Sequence, residues 1–160
     1  MEITSATTML KFFLILFLLV SSCVLIHGVG MLYGMKRMVR TWPKPHTPHY
    51  TFHMFWILIR VVFGLLLLHL LQISVWAVFF TYSDFFPNFE TAFYYSATSY
   101  STVGYGDVIP PENWRVFGAI EAVTGVLMFG WSTGVLFSIV HRLQNNLIHF
   151  PEHKAAPTHE

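Results

Sequence analysis

Thr102-Val103-Gly104-Tyr105-Gly106-Asp107 is the stretch on which the fold turns. It lies between two long apolar segments and follows a short amphipathic stretch rich in aromatic side chains. Its two glycines flank Tyr105. Glycine enters left-handed backbone conformations without a Cβ penalty, so this spacing permits an alternating, partly left-handed backbone whose carbonyls face one way. Thr102 adds a hydroxyl at one end, and Val103 is free to pack outward. The plainer reading is a glycine-containing turn of some unrelated membrane protein. A bare GYG would not displace that reading, but six residues in order between two spans do.

The rest of the chain puts this stretch in a bilayer. Of its 160 residues, 54% are hydrophobic and 11% charged, against roughly 25% charged in a soluble domain. The net charge of +1 gives a nucleic-acid partner no electrostatic support. A single cysteine, Cys23, excludes an intrachain disulfide framework. About 20 apolar residues cross a bilayer, and three segments reach that length: about 12–32, 54–80 and 116–140. No internal repeat is visible. The chain thus divides into an N-terminal anchor with a basic loop (1–53), a central module (54–142) and a short tail (143–160) read as mostly disordered.

Basic residues stay on the cytoplasmic side. Lys36, Arg37, Arg40 and Lys44 place the first loop inside, and His141-Arg142 agrees. The N-terminus is then outside and the C-terminus cytoplasmic. A cleaved signal peptide, or lipidation at Cys23 after Val20-Ser21-Ser22, would change the first span. The apolar run continues past Cys23 to Val29, longer than a signal core, so the reading is a retained anchor.

Ahead of the glycine stretch, Pro87-Asn88-Phe89-Glu90 reads as a helix start, with Asn88 as N-cap and Glu90 in the first turn. That helix ends near Tyr100, too short to span. Entering and stopping halfway is tolerated only where protein buries it. From about Met54 to Arg142 the chain resembles the pore module of potassium channels, and is similar to short bacterial members of that family; TVGYG is their selectivity-filter signature. The resemblance implies an all-α membrane protein: three transmembrane helices, a re-entrant pore helix and a filter loop, assembled as a four-fold homotetramer in a bacterial cell membrane. It implies potassium ions held by the main-chain carbonyls of Thr102, Val103, Gly104 and Tyr105 and by the threonine hydroxyl, with Gly106 completing the filter. It also implies that Tyr94 and Tyr95 brace the filter from behind, and that Asp107 is the acidic residue just outside it. Ser99 and Ser101 stand where threonines are common, and Thr98 where some members have glutamate. The N-terminal span departs from the two-span type.

Other residues carry a sharper and a plainer reading side by side. Gly125 is a candidate hinge in the third span, with close helix packing as the equal alternative. Glu121, an intramembrane carboxyl, is expected to hydrogen-bond to the pore helix, and a pairing with His69 is left open. Arg60 is expected to snorkel. His27 and His69 could ligate a haem, and His46, His49 and His53 a metal, though ordinary hydrogen bonds and a solvated loop are the plainer readings. No run of arginines forms a voltage sensor, and no nucleophile–base arrangement suggests an enzyme. The reading is a potassium-selective channel with no cofactor other than the permeant ion. A weakly selective cation channel or subunit of the same fold is the first alternative, and a membrane haem electron carrier is the alternative of another class.

Overall fold

Apolar runs of this length leave main-chain polar groups no partner but one another, so each run is helical. The computed structural model describes residues 2–42 and 50–148. They form α1 (Glu2–Thr41), α2 (Tyr50–Tyr82), α3 (Phe89–Tyr100) and α4 (Arg115–Ile148), the last entered through a 3-10 turn at Glu112–Trp114. The described residues are all-α, and α1, α2 and α4 are long and apolar enough to cross a membrane. All three helices extend beyond the apolar runs read from sequence, α1 by about as much at either end and α2 and α4 mostly at the end that carries basic residues. Lys44, His46, His49 and the tail from residue 149 lie outside the described residues.

Ring contacts fix the mutual register of the long helices. Phe12 meets Phe117 with centroids 4.8 Å apart, His27 meets Ser132 midway, and Arg142 lies over Trp42 at 4.8 Å. Helix α1 therefore runs parallel to α4. Phe79 stacks on Phe117 at 5.0 Å, and His69 reaches Ser132, so α2 is antiparallel to both. The core is an aromatic cluster at the Phe12–Phe117 end, where Trp76, Phe80, Tyr100 and Phe117 are fully buried. Offset and edge-on ring pairs such as these add about 0.5–1.5 kcal/mol each beyond their area.

Short α3 is set against this cluster, between α2 and α4. Asn88 caps it: its Oδ1 accepts the Thr91 backbone N–H at 2.8 Å and the Thr91 hydroxyl at 2.9 Å. Glu90 occupies the first turn, where a carboxylate meets the positive end of the helix dipole. Ala92, Ser96 and Tyr100 recur at helical spacing on its buried side. The helix stops at Ser101, whose N–H still reaches Ala97 O at 3.2 Å.

Candidate functional site

Directly after α3 the backbone leaves the right-handed region at every second residue. Thr102, Gly104 and Gly106 have φ of 62°, 52° and 77°, whereas Val103 and Tyr105 do not have positive φ. Alternation of this kind turns successive peptide planes so that neighbouring carbonyls do not cancel one another. Two of the three positions are glycine, as the spacing predicts. The third is threonine, a β-branched residue for which positive φ is a genuine outlier. The start of the loop is tied to the helix by Thr102 N–H to Ser99 O at 2.9 Å and Gly104 N–H to Thr98 O at 3.0 Å. Every side chain from Ser101 to Asp107 is exposed in the single chain, Val103 and Tyr105 included.

The far end of the loop is tied back as well. The Tyr94 hydroxyl donates to Asp107 Oδ2 at 2.8 Å, and this bond, with lesser help from desolvation, holds the Tyr94 phenol above its ordinary value. Asp107 Oδ1 also accepts the Val108 N–H at 3.0 Å. Tyr95 does something else. Its ring packs on Phe80 and Phe86 at 5.1 and 5.0 Å, and its hydroxyl fills the space a Cβ would need at Gly118. Of the aromatic pair, then, Tyr94 touches the loop while Tyr95 locks α3 to α2 and α4.

At Gly125 α4 comes against the end of α3. A Cβ there would collide with the carbonyl of Tyr100, the last residue of α3, and α4 continues unbroken through this position. Ser99 adds a second tie, its hydroxyl donating to Gly118 O at 2.9 Å.

A buried ring of hydrogen bonds, which sequence reading missed, holds Tyr100 from the other side. The Tyr100 hydroxyl donates to Gln72 Oε1. Gln72 Nε2 is 2.9 Å from His27 Nδ1, and His27 Nε2 is 3.2 Å from Ser132 Oγ. Ser132 Oγ is 3.1 Å from His69 Nε2, and His69 Nδ1 is 3.2 Å from the Tyr100 oxygen, closing the circle. With Tyr100 donating to Gln72, each bond has one donor and one acceptor if His27 carries its proton on Nε2 and His69 on Nδ1. These tautomers are assigned from the partners. All four long and short helices contribute. Gln72 and Ser132 were the available signal, since polar side chains inside apolar spans ask for partners.

All four ring nitrogens of His27 and His69 are committed to this circle, and the rings stand 5.4 Å apart. That arrangement leaves a haem no axial nitrogen. Among the described residues no group of His, Cys, Asp and Glu is arranged to hold a metal. Glu121 is fully buried at the α3–α4 contact. The hydroxyls of Ser96 and Ser99 act on it, but neither carboxyl oxygen has a hydrogen-bond partner, nor does Ser96 Oγ. It faces α3, the expected side, but neither oxygen is within hydrogen-bond geometry of the Ser96 or Ser99 hydroxyl. His69 goes to Tyr100 and Ser132 instead. Cys23 is buried in the core beside Trp76.

Residues 66–142 match the protein family described as "Ion channel". Over 72 residues, 42% of this chain, the sequence is 36% identical to the voltage-gated potassium channel Kch of Escherichia coli (strain K12). That stretch is 17% of the length of Kch, so the chain spans a small part of this relative. No solved structure matches. The family match starts within α2, ends within α4 and takes in α3 and its loop. At family level, residues 66–142 are thus similar to ion channels.

Proposed function

We propose that the chain is one subunit of a potassium-selective channel, with four copies placing their Thr102–Gly106 segments around a common axis. One strand cannot surround an ion, and closed cyclic symmetry is the ordinary solution. The carbonyls of Thr102, Val103, Gly104 and Tyr105 and the Thr102 hydroxyl replace the hydration shell of potassium. Adjacent sites then pass ions by mutual displacement, passively and down the gradient. Gly106 and the Tyr94–Asp107 bond hold the outer end of the segment in place. Helix α3 is the re-entrant half-helix, its C-terminal carbonyl end directed at a central cavity where it favours a cation. The observation that carries the reading is positive φ at every second residue of a TVGYG sequence, directly after a capped and buried short helix.

Purified protein in liposomes tests this. Potassium flux should exceed sodium flux by a wide margin, and Gly104→Ala, at a φ of 52°, should abolish flux or selectivity. Equal permeability of the two ions in the unmodified protein would reject the reading in favour of a weakly selective cation channel.

A further inference from the structure

Helices α1 and α2 touch near their middles and then part. At Gly30 a Cβ would run into the Leu68 side chain, whereas at Gly34 and Gly64 nothing lies within 4 Å of one. The splay opens a trough of about 530 Å³, floored by Val135 and Ile139 of α4. Its walls are mostly apolar, with the hydroxyl-bearing Tyr33 and Thr41 among them, and its charged lining is of one sign: Arg37 from α1 and Arg60 from α2. Arg60 also lines an adjoining cavity of about 340 Å³ beside the exposed Trp56. Among the described residues neither arginine is in an ion pair, and no carboxylate lies at this end of the bundle.

Depth identifies what fits there. Hydrocarbon is crossed by about 20 helical residues, and counting back that far from Phe80, at the buried aromatic end of α2, arrives at Arg60. Trp56 then falls where interfacial aromatics gather. The trough therefore joins an apolar slot inside the hydrocarbon to two unpaired cations at headgroup level. We propose that it binds an anionic phospholipid, with the phosphate between Arg37 and Arg60 and an acyl chain along Gly34 and Gly64. Basic pockets between spans are suited to such headgroups, and glycine leaves the slot deep enough for a chain. The lipid would fill the gap between α1 and the neighbouring helices and fasten the N-terminal span to the rest of the molecule.

Native mass spectrometry of the full-length protein in mild detergent tests this without reference to ion flux. Phosphatidylglycerol and phosphatidylcholine of identical chains are offered at equal concentration. The unmodified protein should retain phosphatidylglycerol with roughly thirtyfold preference, the weight of two basic residues near a headgroup. Arg37→Gln with Arg60→Gln should remove the preference, and Gly64→Leu should reduce retention of both lipids by filling the slot. Gly34→Leu serves the same end from the facing helix should the first variant not fold. Equal retention of the two lipids by the unmodified protein would overturn the proposal, as would undiminished preference in the double arginine variant. Loss of association between copies in Gly64→Leu, with lipid retention unaltered, would make the trough a protein–protein interface instead.

Discussion

Thr102 holds a φ of 62°, where a β-branched side chain crowds its own backbone. Strain of about 1–3 kcal/mol persists only where surroundings impose it, and here the ties to Ser99 and Thr98 do so. Gly125 tells a related story by contact. Alanine there would gain about 1 kcal/mol of helix propensity but would drive a methyl into a main-chain carbonyl, an overpacking that costs about 1–3 kcal/mol. Gly125→Ala is therefore expected to lower thermal stability and disturb the end of α3, whereas Gly134→Ala, with open space around it, is expected to be neutral or stabilising. A hinge at Gly125 would show differently, as reduced open probability at unchanged melting temperature, and recording both quantities separates the two. Glu121 makes a prediction of opposite sign. A buried carboxyl with no partner costs about 1–3 kcal/mol, so Glu121→Leu should raise the melting temperature. A fall would mean that the carboxyl is bonded after all, to the Ser96 and Ser99 hydroxyls or to a group of another copy. The glycine spacing of the loop was legible in the sequence because it is a local demand. The packing of Gly125 was not, since Tyr100 approaches it from a different helix.

The elements differ in how much of their placement is local. The start of α3 could be read from Asn88 and Glu90 because capping involves residues three apart, and the Thr91 bond duly forms. Asn88→Ala should cost about 1 kcal/mol, measurable as earlier melting or faster hydrogen exchange in α3. The attachment of α1 could not be read in this way. His27, Gln72, Ser132, His69 and Tyr100 come from four helices, and only the fold brings them together. Through that circle α1 holds the last residue of α3, just ahead of the loop. His27→Leu would leave Gln72 Nε2 without its acceptor, at about 1–3 kcal/mol, and would take one of its two partners from Ser132. The expected outcome is a lower melting temperature together with reduced discrimination of potassium from sodium. If only stability falls while discrimination is intact, α1 is an anchor that does not bear on the loop.

At the scale of the whole molecule, charge and exposed apolar surface carry the argument. Lys36, Arg37, Arg40, Arg60 and Arg142 share one end, as the Arg142–Trp42 contact requires, and the exposed carboxylates Asp84, Glu90, Asp107 and Glu112 belong to the other. Lys11 and Arg115 at the acidic end are outnumbered. The positive-inside bias predicts that the basic end is cytoplasmic. In sealed cells a tag before α1 should be labelled from outside and a tag after α4 should not; both on one side would remove α1 from the span count. The loop makes the stronger demand. Val103 and Tyr105 are 52% and 70% exposed, although the backbone beneath them is strained and tied at both ends. A segment fixed so firmly and left uncovered is half of a contact, because apolar side chains on a rigid strip lower their free energy by meeting a partner. Four copies around an axis would turn the Val103 side chains outward against neighbouring subunits and leave the carbonyls inside. Native mass spectrometry is expected to give four times the mass of the chain. Val103→Asp should break that assembly by burying a charge at each contact, whereas Val103→Ile, which keeps the apolar surface, should preserve it. A monomer for the unmodified protein under conditions where its helices stay folded would leave the strip without a partner and the conduction pathway without walls.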